Sequence, residues 1–284
     1  MPKYADRKVC WKDFPEITKD FEKQKQKWIY RGHIPGKTLM SSLERAVLYY
    51  PYELRTKSKA EKLLLREFKR RYHQYSSDVP KENDYLEWFS IMQHYGAPTR
   101  LLDFTYSIYI AAYFALEHTD FEPKAAIQQF EVFAVNTEWA IEESISQFHN
   151  SKKARNFFWK RINNTDEDLR NFRNYFMNNS PKGFVLPFNP FRLTERLSLQ
   201  KGVFMCPGNI NKTFEKNLKS LKGWNNKNNI VRLTLHFNRA EIIDVRSYLY
   251  DLNITRATLF PGLEGFAKSL AVYPFKLLGR DSAL

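Results

Sequence analysis

A single α+β domain is predicted by three features of the 284-residue sequence. Apolar residues recur at helical spacing in some segments and alternate at strand spacing in others. The strand-like segments come in pieces divided by helices. The hydrophobic share of 43% is enough to bury a sizeable core.

Taken in order, residues 1–27 are polar and charged and end in KQKQK, which reads as an N-terminal extension. The segment Trp28-Ile29-Tyr30-Arg31-Gly32 reads as a short buried strand ending at a glycine. Residues 57–75 predict a helix, with Leu64, Phe68 and Tyr72 forming an apolar stripe. Arg66, Lys69, Arg70 and Arg71 fall mostly off that stripe, as a solvated face does. A second helix over 84–94 is built around Leu86, Phe89 and Met92 and stops at Gly96 and Pro98. A third runs from about Ser107 to His118, and its AAYFA segment lets another surface pack close.

Residues 126–135 and 229–237 alternate as strands, with Val231, Leu233, Leu235 and Phe237 on one face of the second. Residues 238–252 predict a helix closed by Asn253. The polar stretch of about 136–183, with its basic-aromatic run KKARNFFWKR, reads as a helical insertion in the domain. The main domain is set at 28–272, and 273–284 as a C-terminal tail.

Composition narrows the function classes. No apolar run approaches the roughly 20 residues that cross a bilayer, and MPKYADRKVCWKDF lacks the apolar centre of a signal peptide. Cys10 and Cys206 stand apart from each other and from any Cys/His cluster, which predicts reduced thiols, no metal site and a cytoplasmic protein. Lys and Arg number 45 against 31 Asp and Glu, a net charge of +14. Such a surplus favours acidic partners, whether nucleic acid, a phosphorylated cofactor or an acidic protein, or serves solubility alone.

Four motifs carry candidate chemistry. In Tyr30-Arg31-Gly32, a strand-end guanidinium suits bidentate phosphate contact and the glycine admits close approach; Arg31 could also pair with a carboxylate. The block Gln93-His94-Tyr95-Gly96-Ala97-Pro98-Thr99-Arg100-Leu101-Leu102-Asp103-Phe104-Thr105 predicts a hydrogen-bond network. Within it Arg100 and Asp103 are expected to form a structural pair, Thr105 or Ser107 to cap the next helix, and Gln93 and His94 to face a pocket. Residues 196–204, RLSLQKGVF, read as a strand with Arg196, Ser198 and Gln200 on its polar face and Gly202 at a bulge or close approach. Pro261-Gly262 makes a turn into a helix with Glu264 in its first turn, where the carboxylate either complements the helix dipole or points into the cleft.

In this order, YRG, QHYGAPTRLLDFT, RLSLQKGVF and LFPGLEGFAKSL resemble the FRG domain family over roughly residues 20–272. Tyr30 stands where Phe is common, and Gly262 where an acidic residue is common. The resemblance implies an ADP-ribosyltransferase-like domain with a split, mostly antiparallel sheet and helical insertions. It implies a toxin or phage-defence effector that cleaves the nicotinamide–ribose bond of NAD and transfers ADP-ribose to a macromolecule. Arg31, Gln200 and Glu264 take the catalytic roles in that reading, and Tyr30, Arg31, Gly32, Gln93, His94 and Ser198 hold NAD. Charge favours RNA, then DNA, as acceptor, and an acidic antitoxin is a possible partner. The competing expectations are a non-catalytic FRG binding module, or an NAD hydrolase or nuclease, in a defence or toxin–antitoxin system.

Overall fold

The computed structural model describes residues 4–24, 27–117, 127–163 and 171–270. The proposed tail at 273–284 lies outside the described residues, as do residues 1–3 and 25–26 of the N-terminal extension. Seven strands build one sheet: β1 (Ala5–Val9), β2 (Trp28–His33), β3 (Leu102–Thr105), β4 (Gln128–Asn136), β5 (Val185–Phe188), β6 (Gly202–Pro207) and β7 (Ile230–Phe237). Their order is β1-β7-β4-β2-β3-β6-β5. Only β1 against β7 is parallel; every other pairing is antiparallel. The α+β class expected from the sequence is therefore observed.

The helices fall between the strands. α1 (Phe14–Lys23) leads into β2, and α2 (Ser42–Ala46), α3 (Lys57–Tyr72) and α4 (Tyr85–His94) separate β2 from β3. α5 (Ile108–Glu117) follows β3, and α6 (Thr137–Ser146), α7 (Lys152–Asn163) and α8 (Asn171–Phe176) lie between β4 and β5. α9 (Glu195–Leu199) precedes β6 and α10 (Phe214–Leu218) follows it. α11 (Arg239–Asp251), α12 (Arg256–Leu259) and α13 (Leu263–Ser269) close the described chain.

Among the described residues two large apolar cores form, beside a small cluster of Leu43, Val47, Ala60 and Ile210. One gathers Trp28, Tyr30, Val132, Leu233 and the inner faces of α1, α5 and α11. The larger gathers Ile29, Phe133, β3, β5 and β6 with α4, α6, α7 and α8. The run KKARNFFWKR contributes to this second core: Phe157 and Phe158 are buried, and Trp159 packs against them while its indole donates to Glu142. Base stacking by these two phenylalanines is thereby excluded in this arrangement.

Local sequence explains most boundaries. Asp84 caps α4, and Asn238 with Glu241 forms a capping box on α11. Asn253, at φ 60°, turns the chain after α11 as the sequence predicts. The strand expected over 196–204 is corrected. Residues 195–199 are helical because Thr194 accepts from the Leu197 amide and starts a turn, and extended structure begins only at Gly202. A Cβ at Gly202 would meet Leu197 Cδ1 at 2.2 Å, so its close neighbour is α9 packed on the strand.

Candidate functional site: a fork between two halves of the sheet

The sheet is joined at its middle by a single register pair. β2 follows β4 from Trp28↔Asn136 to His33↔Glu131, whereas β2 meets β3 only at Tyr30↔Thr105. Past Tyr30 no further register pair joins β2 to β3, so the β1-β7-β4-β2 part of the sheet and the β3-β6-β5 part meet at a break in the ladder, a fork in the pairing. Arg31 sits in it. Its Nη1 donates to the Asp103 carbonyl at 2.5 Å, and its Nε is buried without an acceptor. Burial lowers the Arg31 pKa, the nearby Asp103 charge raises it, and Arg45 adds repulsion. Even lowered, a guanidinium stays charged at neutral pH.

Asp103 forms the exposed lip of the fork. Its Oδ2 accepts from Gln93 Nε2 at 2.7 Å. The Gln93 Oε1 accepts from Thr99 Oγ1 at 2.6 Å and from Ser42 Oγ at 3.4 Å. Ser42 Oγ in turn accepts from the Thr99 amide at 3.0 Å. This chain of donors and acceptors fixes the orientation of the Gln93 amide and presents the Asp103 carboxylate beside Arg31. The hydrogen-bond network expected from QHYGAPTRLLDFT thus exists, with a different membership.

Arg100 does not pair with Asp103. Its Nε donates to Glu61 Oε1 at 2.6 Å, its Nη2 pairs with Glu61 Oε2, and its Nη1 lies 3.3 Å from the Phe176 and Pro207 carbonyls. Arg100 stands in a bend before β3 and Asp103 within β3, so the three-residue spacing that pairs charges on a helix does not bring them together here. The expected helix cap is found in Ser107, whose Oγ accepts from the Ile110 amide, while Thr105 Oγ1 accepts from the Ser107 amide and donates to the Gln200 carbonyl.

The other sequence-selected residues distribute as follows. Tyr30 points away from Arg31 into the α1–α5 core, with its ring 5.6 Å edge-on from Phe21. Gly32 is where α5 crosses β2: a Cβ there would lie 2.2 Å from the Ala111 carbonyl oxygen and 2.4 Å from the Ala115 amide. The close approach that glycine permits is made by a helix backbone. His94 Nδ1 lies 3.2 Å from Thr194 Oγ1, and burial followed by the Arg196 charge lowers its pKa, which favours neutral imidazole. Ser198 is exposed on α9. Gln200 donates to the Leu259 carbonyl at 3.0 Å, tying α9 to the turn before α13. Glu264 does lie in the first turn of α13, but its side chain is 80% exposed and it pairs with Lys268. Among the described residues, Arg31 and Gln93 meet through Asp103, and no hydrogen bond connects that pair with His94, Ser198, Gln200 or Glu264.

Sequence reasoning passed over Glu131. It lies opposite His33 on the Arg31 face of β4, 2% exposed, with Oε2 lacking a partner and Arg232 Nη1 3.7 Å from Oε1. Burial raises its pKa, with Arg232 opposing. The available signal was a lone carboxylate inside the apolar run QQFEVFAVN.

No helix among the described residues is long and apolar enough to cross a membrane, and no group of three or more His, Cys, Asp or Glu there could hold a metal ion. No curated protein and no solved structure matches the chain. The family model of the FRG domain matches residues 26–123, the segment that builds β2, the fork and α5, so that over this third of the chain the protein is similar to the FRG domain.

Proposed function

We propose that this protein is an NAD-dependent ADP-ribosyltransferase of the toxin or phage-defence type, with its nucleotide site in the fork between β2 and β3. The observation that carries the reading is Arg31: a cation held at the break in the β2–β3 ladder by one backbone carbonyl, with donor capacity left over, next to an exposed carboxylate fixed from behind. A guanidinium fork matches the geometry of a pyrophosphate. The acid in this reading is Asp103, replacing Glu264, because Asp103 is the carboxylate that the Gln93–Thr99–Ser42 network orients beside Arg31.

The chemistry divides between these groups. Arg31 binds the pyrophosphate and sets the ribose position. As the C1–nitrogen bond breaks, nicotinamide leaves with the electron pair and positive charge develops on the ribose. The Asp103 carboxylate stabilises that charge. A nucleophilic atom of the acceptor then bonds to C1 and releases its proton to solvent. The net charge of +14 supports a nucleic acid acceptor, RNA ahead of DNA. That support comes from total charge, since Phe157 and Phe158 of the basic-aromatic run are committed to the core.

A second reading, a binding module without turnover, is favoured by one observation: Glu264, the acid singled out by the family pattern, faces solvent and is engaged by Lys268. One experiment separates the two. NAD labelled in the adenylate half is incubated with protein and cell extract, RNA, DNA and protein are resolved, and nicotinamide release is measured in parallel. Wild type is expected to release nicotinamide and label RNA, Arg31→Gln to lose about 100-fold or more in kcat/KM, as for a lost transition-state contact, and Asp103→Asn to lose mainly kcat. NAD binding without nicotinamide release identifies the binding module. Nicotinamide release without a labelled macromolecule identifies a hydrolase. Full activity in Arg31→Gln removes the fork as the site.

A further inference from the structure

The face that α3 turns to solvent carries a row of cations. Lys59, Lys62, Arg66 and Arg70 follow one another at steps of three and four residues, a row about 16 Å long. All four are exposed, while Leu64, Phe68 and Tyr72 on the other side of the helix pack on the larger core. Among the described residues no hydrogen bond or ion pair engages the Lys59 or Lys62 ammonium. Lys57, by contrast, is committed to Glu44. One carboxylate borders the row. Glu67 meets Arg66 at 3.0 Å, Arg70 at 3.2 Å and Arg71 at 3.3 Å, so three guanidiniums share one negative charge.

Two features set this row apart from an ordinary solvated face. The first is that helix stability does not account for it. The start of a helix disfavours cations, yet the first turn of α3 holds Lys57 and Lys59 and no acid, and Lys62 follows one turn on. Arg66 and Arg70 also repel each other across one turn. The second feature is aromatic. Tyr49 and Tyr52, in the turns before α3, are 88% and 81% exposed, and Tyr75 after it is 84% exposed, so these rings contribute little to the protein's own packing. Tyr49 lies just past α2, and Leu43, Val47, Ala60 and Leu64 pack α2 against α3. α2 also borders the fork: Ser42 hydrogen-bonds Gln93, and Arg45 is near enough to Arg31 to repel its charge.

We propose that this surface, Tyr49 and Tyr52 followed by Lys59, Lys62, Arg66 and Arg70, is a docking track for single-stranded nucleic acid. Cations at steps of about 4.5–6 Å along a helix match a chain of regularly repeated phosphates. Tyrosine faces stack on unpaired bases, which an acidic protein lacks and a duplex keeps within its own stack. The track deepens the acceptor part of the function proposed above and rests on that part, not on NAD turnover. Its α2 end adjoins the fork, where an acceptor has to arrive.

The test reads binding to the full chain by fluorescence anisotropy, without NAD. The probes are a labelled oligouridylate of about 12 nucleotides, within the usual span of single-strand sites, and the same strand paired with oligoadenylate. Polyglutamate and phosphatidylserine vesicles serve as competitors at matched charge. Oligouridylate is expected to bind at least tenfold tighter than the duplex, and neither competitor should displace it. Four phosphate contacts give a slope of log K against log salt of about −3; Lys59→Gln/Lys62→Gln should bring it to about −1.5 and weaken binding at least tenfold. Tyr49→Ser/Tyr52→Ser should weaken binding at least tenfold with the slope unchanged. Lys152→Gln/Lys153→Gln, which removes two exposed cations from α7, should change it less than twofold. Near-UV circular dichroism checks folding; should a double variant not fold, its single variants carry the comparison. The proposal is overturned if oligouridylate does not bind wild type, if the duplex binds as tightly, if either competitor displaces the RNA, if the tyrosine variant binds like wild type, or if the α7 lysines matter as much as those of α3. Intact RNA binding without nicotinamide release refutes the enzyme reading and leaves the track standing, whereas lost binding with nicotinamide release intact refutes the track alone.

Discussion

Removing Arg100 tests the most consequential difference between sequence and structure. Arg100 and Glu61 are each about 2% exposed and meet through two nitrogen–oxygen contacts. Arg100→Met keeps the apolar stem and deletes the charge, leaving the Glu61 carboxylate buried among apolar groups and the Phe176 and Pro207 carbonyls without their donor. Breaking a buried pair from one side costs about 3–5 kcal/mol. For a chain of 284 residues the unfolding entropy is on the order of 0.6 kcal/mol per kelvin, so a loss of about 4 kcal/mol lowers Tm by about 7 °C. Glu61→Leu alone should be similarly costly. The double variant should be less damaging than the sum by about 2–3 kcal/mol, since neither charge is then stranded. The control is Asp103→Asn, an exposed change expected within about 0.5 kcal/mol and additive with Arg100→Met. Urea denaturation of the four proteins of each cycle gives both couplings. Coupling of Arg100 to Asp103 larger than to Glu61, or a cost of Arg100→Met below about 1 kcal/mol, would refute the assignment.

Glu87, 5% exposed, has its pKa raised to about 7 by burial first and by Asp84 second. Raised above its ordinary 4.5, it contributes stability that is complete below that value and is lost as pH climbs through 7. Glu87→Gln should therefore gain on wild type between pH 5 and pH 8, by up to about 3 kcal/mol; a gap constant with pH in denaturation curves contradicts this. Gly32→Ala should cost about 3 kcal/mol or more, since its Cβ meets backbone atoms of α5 that only a shift of the helix can relieve; an unchanged Tm would mean β2 and α5 are further apart. Phe158→Ala should cost about 3–5 kcal/mol as a fully buried ring; a loss under 1 kcal/mol with weakened RNA binding would return that ring to the surface.

Legibility in the sequence followed the range of the interactions that decide each feature. Leu64, Phe68 and Tyr72 announce α3 because period and length are local, and all three pack on the larger core. The faces of β7 were legible for the same reason: Val231, Leu233, Leu235 and Phe237 are all buried in one core. RLSLQ misled because five residues satisfy strand alternation as well as one helical turn, and the deciding hydrogen bond comes from Thr194, outside the window. The partner of Arg100 is 39 residues away, and the carbonyl under Arg31 is 72 residues away. No spacing rule reaches that far. Arg31 and Gln93 were selectable as candidate site residues by type; Asp103 joined the candidates only when sheet order put its carbonyl under Arg31.

The fork itself has a physical origin that ties these residues into one device. β2 keeps its ladder with β4 through His33, and α5 lies on the bare backbone of Gly32, so β2 is held from both of those directions. β3 is held instead by four register pairs to β6, from Leu102↔Met205 to Thr105↔Gly202. With each strand committed elsewhere, their mutual ladder stops at Tyr30↔Thr105, and the edges beyond it carry polar backbone without strand partners. A side chain with several donors can occupy such a gap without closing it, and Arg31 does so through the Asp103 carbonyl. A hydrophobic residue at 31 would leave that carbonyl unsatisfied, and a lysine would replace a planar fork by a point charge. The same break that weakens the sheet at its centre therefore leaves the Arg31 guanidinium beside an oriented carboxylate, and a ladder continued by one more pair would place Arg31 within the sheet instead.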